Sequence, residues 1–286
     1  MPHIRPQIIH LAAQKWMRLP GVVLVGEGTR RLRGEDTGVP CITVGVMRKL
    51  SPADIPAEFL IPRSFSGCLT DVVQTGELFS VPFGGALDSG QNTGRHRPIH
   101  PGVSIGHYKI TAGTIGLILA DGDEPPLLVS NNHVLAASNA ASVGDVVLQP
   151  GPADGGMNPD DAAGALERFV RIRFDGEAQR GGWLRWLCEL LRLCRPPEPN
   201  RVDAAAARVG HVFAEHDIPG IGYPSGVIAP EVGLRVRKLG RTTALTHGRI
   251  TIVNATARVS YGLGRTATFV DVAGAEPIGL PGFPRL

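Results

Sequence analysis

"LLVSNNHVLAASNA", Leu127–Ala140, is an apolar run that breaks into Ser-Asn-Asn-His before small residues resume. A short continuous apolar run ended by polar residues reads as a buried strand, and its end is where a fold displays a reactive side chain. His133 is therefore a candidate general base, since imidazole exchanges protons near neutrality. The blander reading is a turn histidine satisfied by local hydrogen bonds from Asn131 and Asn132.

The surrounding sequence repeats the strand signal. Hydrophobic residues make up 43% and aromatics only 5%, while 37 glycines and 24 prolines cut the apolar runs short. That composition favours many strands over long helices, so the chain is expected to be mainly β. From Val103 come "VSIGHYKI", "TIGLILA", "PLLVSNNHVLAA", "DVVLQPG", "FVRIRF" and "VDAAAARVG". After "IPGIGYPSGVIAP" a second set follows, "LRVRKLG", "HGRITIVNATARVSY" and "RTATFVDVAG". Such regular spacing points to barrels or sandwiches.

Ahead of these, Gln7–Arg18 reads as a short amphipathic helix. "GVVLVGEGTRRL" and "VPCITVGVMRKL" read as a hairpin pair around a turn at Arg33–Gly38. The expected organisation is an N-terminal α+β region (1–81), a Gly/Pro-rich linker (82–102), a first barrel (103–224) and a partial second barrel (225–286). A helical insertion at 181–195, "GGWLRWLCELLRLCR", interrupts the first barrel. Its Trp183–Cys194 stretch is too short for a bilayer; it reads as packing on the barrel, with a partner or membrane-surface docking face as the alternative.

Charge and cysteines exclude several functions. The net charge of +3 is too small and too dispersed for a nucleic-acid partner; the one local excess, eight arginines against five acids in Glu167–Arg201, reads as a solvated basic loop, which any anionic partner would meet first. The four cysteines form no CxxC or Cys/His metal spacing, and no cofactor is implied. His96, His100, His107 and His133 give a weaker metal reading, which Pro98 inside "HRPIH" opposes. The N-terminus lacks a signal-peptide pattern and no run of about 18 apolar residues occurs, so a soluble, cytoplasmic protein is expected.

A base needs a carboxylate to fix its tautomer. Asp203 in "NRVDAAAARVG" has the right chemistry, although before four alanines it also reads as a helix N-cap. The boxes "SNNHVLA" and "NRVDAA", together with "PGVSIGHYKITAGTIGLIL" and "VGLRVRKLGRTTALTHGRITIVNATARVSYGLGRTATFVD", resemble a family of cytosolic bacterial trypsin-like serine peptidases related to the narrow-leaf proteins of plants. "ITVGVMRKLSPADIPAEFLIP" and "GCLTDVVQTGEL" look like that family's N-terminal region. The resemblance runs from about residue 20 to 271. It implies a chymotrypsin-like double β-barrel, His133 as base, Asp203 as its partner, and a protein or peptide substrate.

It also implies a Gly-Asp-Ser-Gly box after a "FVDQ"-like strand. This chain reads "FVDVAGAEPIGLPGFPRL" instead, with no strand alternation expected after Asp271. Ser225, Ser260, Thr266 and Thr268 lack the flanking pattern. The expectation is a truncated peptidase homologue, inactive as it stands and with an open barrel edge. The alternative is a non-catalytic protein-binding module. "QPGPADGG" reads as a turn-rich loop that rims the cleft, and Gly248 in "GRTTALTHG" as a turn glycine.

Overall fold

The computed structural model describes residues 3–80, 91–110, 112–177, 198–210 and 214–278. The expected insertion at 181–195, with Trp183–Cys194, lies outside them. The described chain is mainly β and forms two sheets. Helix α1 (Pro6–Trp16) starts on a proline, whose fixed φ and missing N–H suit a first helical turn. It buries Ile9, Ala12, Ala13 and Trp16, the i, i+3, i+4, i+7 face of an amphipathic helix.

Strands β1 (Val22–Leu32) and β2 (Glu35–Val46) form a hairpin. Its turn is tighter than expected. Leu32 already faces Glu35, and Arg33 and Gly34 both take positive φ, 53° and 86°, the backbone that two-residue hairpins require. Val22 and Val25 pack with Ile9 and Trp16, while Leu24 joins Ala255 and Ala257 on the other face. After β2 the chain crosses through two 3₁₀ turns, Pro52–Asp54 and Ala57–Phe59. It returns as β3 (Ser64–Phe65) and β4 (Cys68–Gln74), then β5 (Leu78–Phe79). Strand β4 runs parallel to β2.

The second sheet is built from β6 (Ser104–His107), β7 (Gly113–Thr114), β8 (Leu117–Asp121), β9 (Glu124–Ser130), β10 (Val146–Leu148), β11 (Ala162–Phe169) and β12 (Ala205–Val209). A single helical turn, α2 (Asn132–Leu135), follows β9. The strand order is β7-β6-β10-β11-β12-β9-β8. The two ends of that path, β7 and β8, are separated in sequence by only Ile115 and Gly116. Ile115 N–H donates to Val103 at one edge and Gly116 N–H to Val129 at the other, at 3.0 and 2.9 Å. The sheet therefore curls until one extended run serves both edges. Ile99, Val103, Ile105, Ile115, Leu128 and Leu166 fill its interior. The curl needs close backbone approach at β11. A Cβ on Gly164 would lie 1.9 Å from the Arg208 carbonyl.

The strands β13 (Arg235–Gly240), β14 (Ala244–Ser260) and β15 (Thr266–Pro277) complete the first sheet, in the order β13-β14-β1-β2-β4-β3, with β15 and β5 also on β14. The N-terminal hairpin and the C-terminal strands thus share one sheet. β14 pairs with β1 through Leu24–Gly28 on one side and with β15 on the other.

Three local expectations are corrected. Strand β15 continues to Pro277 with alternating burial, because backbone pairing to β14 does not need the large apolar side chains missing there. Gly248 is no turn glycine: it lies inside β14 opposite Val236 and Pro277, where a Cβ would come within 2.9 Å of the Glu276 carbonyl. The strand expected at "FVRIRF" sits earlier, at Ala162–Phe169, and residues 170–174 cross between the sheets. Residues 91–102, of linker composition, pack on the curled sheet. Ile99 is fully buried, and the buried Gln149 amide accepts from His96 N–H and donates to the Gly94 carbonyl. Among the described residues no helix is long and apolar enough to cross a membrane.

Candidate active site

The stretch Leu127–Ala140 places its polar residues with little freedom. Ser130, the last residue of β9, donates to the Thr114 carbonyl at 2.7 Å. The fully buried Asn132 donates from one amide group to Asn139 Oδ1 and to the Val170 carbonyl, at 2.9 and 2.7 Å, and accepts from Asn139 N–H. Asn139 in turn donates to the Ile172 carbonyl and accepts from Ile172 N–H. Asn139 adopts φ 75°, a left-handed conformation that asparagine tolerates. The two asparagines clamp α2 to the 170–172 crossing segment, and His133 lies on the clamped turn.

Asp203 comes from the other side. It is no helix N-cap, since Ala205–Val209 form β12 and pair with β9 from Ala205↔Ser130 onward. That pairing sets Asp203 beside α2. Asn131 Nδ2 donates to the Asp203 carbonyl at 3.0 Å. The His133 backbone N–H donates to Oδ1 at 3.3 Å, and the ring Nδ1 lies 2.6 Å from Oδ2. Their side chains are 16% and 11% exposed, which makes this a short, charge-assisted contact in a largely water-excluded setting.

A third group, absent from the sequence expectations, completes the arrangement. The Tyr261 hydroxyl donates to Asp203 Oδ2 at 2.9 Å. Its ring stands edge-on to His133, centroids 6.0 Å apart, and packs on Phe174 and Phe269. Tyr261 directly follows the last residue of β14, so this bond ties the pair to the other sheet. No spacing signal marks it; only the fold brings residue 261 to residue 203.

Burial pushes the Asp203 carboxyl up, yet the hydrogen bonds from His133 and the Tyr261 hydroxyl, with the imidazole's charge, outweigh it and hold Asp203 below the usual carboxylate range. It is ionised at neutral pH. Tyr261 moves the opposite way, raised by burial and by the adjacent carboxylate, and stays a donor.

The pair opens into a cavity of about 450 Å³ between the sheets, lined also by Gly113, Thr114, Arg241 and Thr242. Arg241 pins this junction: it holds Asp154 through both carboxylate oxygens at 2.8 Å, and its N–H donates to Thr114 Oγ1 at 3.1 Å. Asp154 belongs to "QPGPADGG", so that loop reaches the cleft by ion pairing as well as by turn geometry.

With Nδ1 engaged, Nε2 is the nitrogen left to take a proton from a substrate or nucleophile. Among the described residues no hydroxyl is hydrogen-bonded to His133. Thr266 and Thr268 donate to Asp175, Ser260 lies within β14, and Ser225 is exposed. Among the described residues, Ser80, Thr114 and Thr242 are the serine and threonine residues lining the cavity.

The other histidines are dispersed. His107, in the curled second sheet, pairs through Nε2 with Asp145 at 3.0 Å, while the rings of His96 and His100 meet edge to face. Among the described residues no group of three or more His, Cys, Asp or Glu is placed to hold a metal ion. Cys41 is buried and its thiol is pushed up to about 11, chiefly by burial; it is a packing residue, not a thiolate nucleophile.

No known protein family and no curated protein matches the chain.

Proposed function

We propose that this chain is a homologue of trypsin-like serine peptidases, with the two sheets corresponding to the two barrels of that fold and a protein or peptide occupying the cavity between them. The observation that carries this reading is the 2.6 Å His133–Asp203 contact at the wall of an inter-sheet cavity. His133 is the base. Asp203 holds its Nδ1–H tautomer and would stabilise the imidazolium formed when Nε2 takes a proton.

Within these 286 residues the pair has no hydroxyl bonded to Nε2 among the described residues, and the sequence after Asp271 carries no Gly-Asp-Ser-Gly box. A base without a nucleophile binds peptide without forming an acyl-enzyme. The described residues thus supply a base and its carboxylate with no hydroxyl bonded to the base, an arrangement that favours peptide binding over acyl-enzyme formation. Treatment with a fluorophosphonate probe, followed by intact-mass measurement, tests this. No adduct is expected. An adduct that disappears in His133→Ala would mean that a hydroxyl of this chain is activated, and peptide mapping would decide among Ser80, Thr114 and Thr242.

A further inference from the structure

The structure assigns a second ligand site, remote from His133: an apolar hollow beneath the 50–61 strap, which we infer binds a single-chain amphiphile with an anionic head, such as a medium-chain carboxylate. The hollow has a volume of about 470 Å³ and shares no lining residue with the His133 cavity. That size lies in the range of small-molecule pockets, which run from roughly 300 to 1,000 Å³.

Its floor is the core surface of the first sheet, with Val22, Val46 and Val72 among its lining residues. Its cover is the strap, whose Leu50, Phe59 and Leu60 remain substantially exposed although they line the hollow. The hydrogen bonds of the two 3₁₀ turns are local, Asp54 and Ile55 to Ser51 and Pro52, Phe59 and Leu60 to Pro56 and Ala57. Among the described residues no ladder hydrogen bond joins the turns to the sheet. A segment held only by local bonds and side-chain packing opens at low cost, which gives an alkyl chain a way in.

The polar groups at the mouth choose the head group. Arg48 and Lys49 line the hollow and are exposed. Lys49 Nζ donates to the Val72 carbonyl at 2.7 Å, which fixes the ammonium at the rim with donors to spare. Arg48 makes no ion pair among the described residues, so its guanidinium is free to take a carboxylate in two-pronged fashion. Asp54 is the one acid among the described lining residues, which leaves the mouth positive. An apolar body with a single cationic rim selects a tail plus an anion and disfavours a cationic amphiphile.

Calorimetric titration of the intact chain with sodium octanoate and sodium decanoate, below their micelle concentrations, tests the site. Saturable one-to-one binding is expected. Two further methylenes should tighten it about fifteenfold, from ~0.8 kcal/mol for each buried methylene. Arg48→Glu should weaken decanoate about tenfold, since it removes one attraction and adds a repulsion, while leaving neutral 1-decanol unchanged. Because Arg48 is exposed and unpaired, the variant keeps its fold. Absence of saturable binding, equal affinity for octanoate and decanoate, or decanoate binding that Arg48→Glu leaves unchanged would each overturn the assignment. None of these outcomes depends on the reading of His133.

Discussion

Replacing Tyr261 by phenylalanine removes one oxygen and keeps the ring that packs on Phe174 and Phe269. The lost interaction is a hydroxyl donated at 2.9 Å to a carboxylate only 11% exposed. A hydrogen bond to a charged, buried group is worth about 1.5–3 kcal/mol. With a urea slope of about 3 kcal/mol/M for a chain of this size, the unfolding midpoint should fall by roughly 0.5–1 M at pH 7. The pH dependence gives the sharper test. Asp203 lies below its ordinary value of 3.8 in the folded chain, so its stabilising contribution is complete above that value and is lost as pH falls through the lower, folded one. The gap between wild type and Tyr261→Phe should thus be constant through neutrality and shrink below about pH 3.8. Urea unfolding followed by fluorescence between pH 3 and pH 8 measures it. A gap below about 0.5 kcal/mol at pH 7, or one that persists unchanged into acid, would refute the claim that Tyr261 holds the Asp203 carboxylate.

Two other perturbations probe the scaffold around the pair. Asn132→Ala leaves Val170 and Asn139 without buried partners and should cost roughly 2–4 kcal/mol, the sum of orphaned polar groups at about 1–3 kcal/mol each; a loss under 1 kcal/mol in the same unfolding assay would mean the asparagine clamp does not exist. Gly164→Ala drives a Cβ against the Arg208 carbonyl and should destabilise by about 1–3 kcal/mol, whereas Gly226→Ala, with open space around it and no positive φ, should change stability by less than about 1 kcal/mol. Equal effects at the two glycines would argue against the close β11–β12 approach that curls the sheet.

The chain wrote some of this plainly. Runs such as "LLVS" and "RITIVNATARVS" became β9 and β14 because their apolar content and their breaks specify strands locally. His133 and Asp203 were recognisable as a base and its carboxylate by type, and the β9–β12 register that joins them arises from pairing across some 70 residues. What the sequence hid was long-range. The pairing of β1 with β14 joins residues more than 220 positions apart, and nothing in either strand names its partner. Tyr261 carries no motif, so its hydroxyl became visible as a site group only once β14 was seen to end beside Asp203. The 162–169 strand was masked by its alanines and Gly164, small residues that β-propensity disfavours but that close backbone approach demands.

Asp203 holds His133 with its proton on Nδ1, leaving Nε2 bare toward the cavity. Long-range ¹H–¹⁵N correlation on histidine-labelled protein reads the tautomer of the neutral ring directly. The geometry requires a protonated Nδ1 and an unprotonated Nε2 for His133, with that pattern lost in Asp203→Ala and kept in Tyr261→Phe. A neutral His133 carrying its proton on Nε2 in the wild-type chain would mean that Asp203 does not set the tautomer.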